Sequence, residues 1–128
     1  MNNYELFHGA SAEKMLYNVR NFGLTADNEG KIYFSQNEWK NCLVHGADRG
    51  TGESYVVKVK ITIPADARID RSPRAGNPDA LIVITLPQKL IRCDFIEMYV
   101  RSGKIGEFEI KTIPGPSIES YLAKALGQ

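Results

Sequence analysis

The stretch YVVKVKITI, residues 55–63, decides the fold class. Apolar side chains at Tyr55, Val57, Val59, Ile61 and Ile63 fall on every second residue, and from Val57 onward they alternate with Lys58, Lys60 and Thr62. Because successive side chains of a β-strand point to opposite faces, this period of two predicts a strand with one buried face and one wet face.

Five further segments predict strands, namely 4–7, 31–34, 80–84, 95–100 and 108–113. The run ALIVI at 80–84 has no polar residue, which predicts a strand covered on both faces. Residues 64–77 are polar and contain Pro73 and Gly76, which predicts a long loop.

Three segments predict helices. Ser11 is a suitable N-cap for a helix whose buried face carries Met15, Leu16, Val19 and Phe22 and which stops at Gly23. Ser35-x-x-Glu38 matches a capping box and predicts a second helix that buries Trp39, Cys42 and Leu43. A third helix is expected from Pro116 and Ser117 to near Gly127. Two early helices, and strands that do not alternate regularly with helices, predict a single α+β domain over residues 1–128.

Composition excludes several classes of protein. The net charge of +1 gives no global attraction to polyanions. No apolar run is long enough to span a bilayer, and the N-terminus lacks the pattern of a signal peptide, so we expect a cytoplasmic chain without a membrane partner. Cys42-x-x-His45 supplies at most half of a zinc site, and we expect no metal. Neither GxGxxG nor a Walker motif is present.

Three chemically capable side chains lie at the edges of predicted strands: His8, Tyr33 and Asp79. Strand ends are where rigid scaffolds present reactive groups. Each residue alone also has a structural interpretation. His8 can satisfy backbone groups, Tyr33 can be a core residue and Asp79 a turn residue. Ser11 and Ser35 are explained as helix caps.

In their order along the chain, these residues resemble the ADP-ribosyltransferase superfamily, in the branch with a histidine, tyrosine and acidic triad. The matching segments are the H-G-[TAS]-S pattern at 8–11, Gly23-Leu24, the strand from Gly30 to Ser35 with Tyr-Phe-Ser at 33–35, and Asp79 before ALIVI. The resemblance covers roughly residues 6–100. It implies an ADP-ribosyltransferase-like split antiparallel β-sandwich with flanking helices. Aspartate in place of the commoner glutamate is closer to small bacterial toxin domains and rifamycin-modifying members than to protein-targeting polymerases.

The resemblance also implies roles. NAD is the co-substrate, bound by His8, Gly9, Ala10, Ser11, Tyr33 and Ser35 and cleaved at the nicotinamide glycosidic bond. His8, Tyr33 and Asp79 are the catalytic residues, with Asp79 stabilising the ribosyl oxocarbenium ion.

Three points stay open. Glu97, in FIEMYVR, is the rival of Asp79 for the acidic position. Trp39 is the only aromatic residue on the predicted second helix that could add a second ring. The third open point is the role of the three arginines of the polar loop. They can stay solvated, or they can contact phosphates or an anionic acceptor: Arg68, Arg71 and Arg74.

The acceptor of ADP-ribose is not identified and can be a protein, a nucleic acid or a small molecule. A toxin of this kind would meet an immunity or inhibitor protein and enter its target cell by a specialised secretion system. The alternatives are an RNA 2′-phosphotransferase, although those enzymes carry arginine where Phe7 precedes the histidine, and a non-catalytic NAD or ADP-ribose binding module.

Overall fold

The computed structural model describes residues 2–72, 77–104 and 106–128, and the side chain of Asn2 is not described. The chain folds as an α+β protein dominated by strands. The strands are β1 Asn2–Gly9, β2 Gly23–Thr25, β3 Lys31–Ser35, β4 Ser54–Ile63, β5 Arg68–Asp70, β6 Ala80–Ile84, β7 Leu90–Ser102 and β8 Glu109–Pro114. The helices are α1 Ala12–Arg20 and α2 Ile118–Ala125, with short 3₁₀ helices at Trp39–Cys42 and Gly115–Ser117.

The strands pair in the order β2-β7-β4-β1-β3-β6-β5, and β8 adds to β7. Every strand pair is antiparallel. β1 pairs with β4 along its whole length, from Asn2↔Ile63 to Gly9↔Val56. On its other side β1 meets β3 through the single register pair Phe7↔Ser35. Adjacent strands of the sheet therefore share the fewest paired residues at the β1–β3 junction, next to His8.

One face of the β1–β4–β7 half carries the core. Val57 and Val59 of β4 are fully buried, and they share a hydrophobic cluster with Met15 of α1 and Leu122 of α2. Each such side chain contributes about 1.5–3 kcal/mol by leaving water. Lys60 and Thr62, on the alternate positions, are exposed. The strand predicted at 55–63 is confirmed, although its outer face is exposed only toward its end, at Lys60 and Thr62, because Val56 is fully buried. The covered strand at 80–84 is also confirmed.

The helix predicted from the Ser35 capping box is wrong. The chain makes only the 3₁₀ turn Trp39–Cys42, of which Cys42 alone is buried. The box fails because Ser35 is bonded elsewhere: its hydroxyl accepts from Nδ2 of Asn77 at 2.8 Å. The backbone N–H groups of Asn37 and Glu38, which a helix would have left to the capping side chain, donate instead to the carboxylate of Asp79, a residue far along the chain.

The predicted end of the first helix is also wrong. α1 stops at Arg20, and Phe22 lies beyond it at φ 58°, with 65% of its surface exposed instead of buried. Gly23 begins β2 because that strand runs close to β7, where a Cβ on Gly23 would lie 2.5 Å from the carbonyl oxygen of Ile91. The pairing that forms β2 is long-range and left no mark in the local pattern.

Other boundaries differ for the same reason. The predicted loop 64–77 contains β5, which exists through its pairing with β6. β7 extends the predicted strand 95–100 at both ends because it pairs with β2, β4 and β8. Phe108 lies outside β8 and is exposed. No helix in the described ranges is long and apolar enough to cross a membrane.

Candidate functional site

A cavity of about 670 Å³ opens at the β1–β3 junction. Residues 8–11, from the end of β1 to the residue before α1, form one part of its lining, and residues 31–34 of β3 form another. The volume lies in the range of small-molecule sites. The antiparallel pairing places Lys31 opposite Ile84 and Ser35 opposite Ala80, so the cavity follows β3 from its first residue toward the start of β6.

His8 is buried, with 8% of its surface exposed, and its ring packs 5.6 Å from the ring of Phe34. Nδ1 lies 2.8 Å from the carbonyl oxygen of Tyr33. A carbonyl only accepts hydrogen bonds, so Nδ1 must carry the proton. Burial lowers the pKa of His8 to about 4, with a smaller contribution from the positive charge of Lys14. His8 is therefore neutral at pH 7.

The neutral Nδ1–H tautomer leaves Nε2 as a hydrogen-bond acceptor. Nε2 has no hydrogen-bond partner among the residues that the structure describes. The site thus offers one unused acceptor on a side chain that is fixed in orientation by the backbone of β3.

Tyr33 and His45 form a pair of nearly parallel rings. Their centroids are 6.3 Å apart and the planes differ by 9°. Both residues line the cavity, Tyr33 is 38% exposed, and His45 is exposed. Parallel rings of this kind offer faces on which a flat heterocycle can stack.

His45 is the site residue that sequence reasoning missed. Its signal was Cys42-x-x-His45, which was interpreted as half of a zinc site. Cys42 also lines the cavity, but burial raises the pKa of its thiol, and the thiol donates to the carbonyl of Phe7. Trp39 is not part of the lining; it stacks on Tyr99 with centroids 5.0 Å apart.

Asp79 lies beside the cavity, and its carboxylate points elsewhere. Its oxygens accept from the backbone N–H of Asn37 at 2.6 Å, from Nδ2 of Asn37 at 2.7 Å and from the N–H of Glu38 at 3.2 Å. Its neighbours Asn77 and Ala80 line the cavity, whereas Asp79 does not. His8 and Tyr33 both line the cavity, and Nδ1 of His8 bonds to the backbone carbonyl of Tyr33, whereas Asp79 is held at the edge. Tyr33 is two residues from Ser35, the partner of Phe7, so the side chains of His8 and Tyr33 leave the sheet on opposite faces and line different sides of the cavity.

Glu97, the rival acidic residue, lies on the other face of the sheet. It stands opposite Lys58, which stands opposite Phe7, whereas His8 stands opposite Val57. Since neighbouring positions of a strand point to opposite faces, Glu97 and His8 point away from each other. The Tyr99 hydroxyl donates to the Glu97 carboxylate.

The HGAS segment is held by its surroundings. A Cβ on Gly9 would lie 2.3 Å from the carbonyl oxygen of Cys42, so glycine is required here by the close approach of segment 42–46. Ala10 is buried. Ser11 occupies the N-cap position but makes no side-chain cap. Instead, Asp48 accepts from the N–H of Ala12 at 2.8 Å, so the Ser11 hydroxyl is not used as a cap although Ser11 lines the cavity.

The remaining candidates lie apart from the cavity. Ser35 supports it indirectly, by accepting from Asn77. Arg71 packs over the ring of Tyr4 and donates to its hydroxyl at 2.9 Å. Arg68 is exposed on β5. Arg74 lies outside the described residues.

Comparison of the chain with protein-family models, with curated proteins and with solved structures found no match. Within the described part of the chain, no three side chains of the metal-binding types are grouped. The interpretation of the site therefore depends on its own geometry.

Proposed function

We propose that this domain is an NAD-dependent ADP-ribosyltransferase that binds NAD in the cavity between β1 and β3. The observation that carries the proposal is the neutral His8, with Nε2 free to accept, in the same cavity as the parallel rings of Tyr33 and His45. An unused acceptor and exposed aromatic faces in one cavity fit a ribose hydroxyl and the nicotinamide ring attached to that ribose. The single-pair β1–β3 junction also supports the split antiparallel sandwich that the resemblance implies.

In this proposal each residue has a separate task. The nicotinamide ring stacks on Tyr33, and Nε2 of His8 accepts from a ribose hydroxyl. The bond between ribose C1′ and the nicotinamide nitrogen breaks, and its electron pair leaves with nicotinamide. The acceptor's nucleophile then bonds to C1′ and loses its proton. The carboxylate of Asp79 would stabilise the positive charge on the ribose, for which it must leave Asn37 and Glu38.

The position of Asp79 favours a second candidate. A carboxylate already satisfied by three hydrogen bonds has a structural role without any catalysis. The same cavity would then act as a non-catalytic NAD or ADP-ribose binding module. The RNA 2′-phosphotransferase alternative stays a prediction.

One experiment separates these candidates. The purified protein is incubated with NAD, and both bound NAD and released nicotinamide are measured. A transferase releases nicotinamide, and Tyr33→Ala abolishes the release, while Tyr17→Ala, an exposed tyrosine of α1 outside the cavity lining, does not. Binding without release favours the module, and release only with 2′-phosphorylated RNA favours the phosphotransferase. Absence of NAD binding would contradict the proposal.

A further inference from the structure

Two lysines line the same cavity as His8 and Tyr33. Lys14 reaches it from the first turn of α1, and Lys31 from the first residue of β3. Lys14 is exposed and forms no ion pair or hydrogen bond with the described residues. Its charge is close enough to His8 to disfavour protonation of the imidazole. An unpaired ammonium group therefore lies near the acceptor of the site.

Lys31 is held only weakly by its present partner. Its Nζ lies 3.1 Å from a carboxylate oxygen of Glu29, whose side chain is 71% exposed. Exposed pairs of this kind contribute little to stability and are screened by salt. Lys31 can exchange this carboxylate for a stronger anion in the cavity without a large cost.

The spacing of Lys31 and Tyr33 matches the order of groups in a nucleotide. They are two residues apart on β3, so their side chains leave the same face, with Cα atoms about 6.6 Å apart. In a nicotinamide nucleotide one ribose separates the ring from the 5′-phosphate. A ring stacked on Tyr33 with its ribose directed toward the start of β3 brings that phosphate near Lys31.

The cavity lining carries a net positive charge, as the binding of a phosphate requires. Among the described lining residues there are two ammonium groups, Lys14 and Lys31, and one carboxylate, Asp27. Oδ1 of Asp27 is occupied, because it accepts from the N–H of Glu29 at 2.9 Å and of Lys31 at 2.8 Å. With His8 neutral, the lining keeps an excess of positive charge.

We propose that Lys14 and Lys31 bind the phosphate groups of the ligand, so that the cavity selects nicotinamide nucleotides over the unphosphorylated nucleoside. The proposal rests on the proposed function, because it places the nicotinamide ring at Tyr33. It adds to that site the two residues that hold the phosphates: the ammonium groups of Lys14 and Lys31 pair with the phosphates of a dinucleotide or a mononucleotide.

The test is calorimetric titration with NAD, nicotinamide mononucleotide and nicotinamide riboside. The proteins are the wild type, Lys14→Gln, Lys31→Gln and, as a matched control, Lys124→Gln on the exposed side of α2. We expect the first two variants to bind both nucleotides about tenfold more weakly and the riboside unchanged, because only the nucleotides carry the charge that the lysines pair with. The control should bind all three ligands like the wild type.

The outcomes distinguish the two proposals. If the wild type binds NAD and both lysine variants bind it equally well, this inference is overturned and the proposed function stands. If the riboside binds the wild type as tightly as NAD does, the cavity does not select phosphorylated ligands, so this inference is overturned and the proposed function stands. If none of the three ligands binds to the wild type, the proposed function fails and this inference fails with it.

Discussion

His8 links the chemistry of the site to the stability of the fold. Burial holds its pKa at about 4, below the usual 6.5, so the folded protein resists protonation where the unfolded chain accepts it. Between these pH values the unfolded state binds more protons, so stability is complete above about pH 6.5 and falls as the pH is lowered toward 4. The expected loss is on the order of 3 kcal/mol.

Denaturant unfolding at several pH values between 4 and 7 measures this loss. His8→Asn removes the titrating group, and its side-chain amide can still donate to the carbonyl of Tyr33. The variant should lose less free energy of unfolding than the wild type as the pH falls. Parallel profiles for the two proteins would show that His8 is not buried in the neutral form.

Asp79 can be tested for a role in chemistry separately from its role in the loop. If its charge stabilises the transition state, Asp79→Asn should lower the rate of nicotinamide release by about 10²–10³ while NAD affinity stays within about threefold. Asn37→Ala is the matched control, because it removes one donor to Asp79 and keeps the carboxylate. It should keep or raise the rate. Full activity of Asp79→Asn would confine this residue to holding the 37–38 segment.

Among the elements, α1 shows how far a local pattern can mislead. Ser11 stands at the N-cap position, yet the acceptor for the first amide is Asp48, which also accepts from the amides of Gly50 and Thr51. Asp48→Ala should therefore lower the free energy of unfolding by about 1–2 kcal/mol, while Ser11→Ala changes it by less than about 0.5 kcal/mol. Thermal or chemical unfolding of both variants checks this. The reverse order would restore Ser11 as the cap.

Elements defined by their own periodicity were predictable from sequence, and those defined by distant partners were not. β4 alternates from Val57 to Ile63, and β6 is uniformly apolar, so the predictions of both strands were correct. The helix expected after Ser35 does not form because Asp79, 44 positions later, accepts from the amide of Glu38 in place of the Ser35 hydroxyl. β2 and β5 are three-residue strands that exist only through pairing.

At the scale of the whole molecule, the cavity results from the way β1 joins the two halves of the sheet. β1 shares eight register pairs with β4 and one with β3, and the side chain of His8 bonds to β3 beside that one pair. Sequence placed His8 and Tyr33 at strand edges; in the structure His8 lies near the end of β1, Tyr33 is the middle residue of β3, and both line the cavity. Sequence could not anticipate His45, whose stacking on Tyr33 depends on the course of segment 42–46 between β1 and β4.

The central claim is that His8 and Tyr33 share one cavity that binds NAD, and the most direct measurement is the ¹⁵N NMR spectrum of the histidine side chains during titration with NAD. We expect the free protein to show the Nδ1–H tautomer of His8, and NAD to shift the Nε2 resonance of His8 as that nitrogen accepts a hydrogen bond. The same titration of Tyr33→Ala should produce no shift at equal NAD concentrations. A His8 signal that is unchanged up to millimolar NAD in the wild type would contradict the claim.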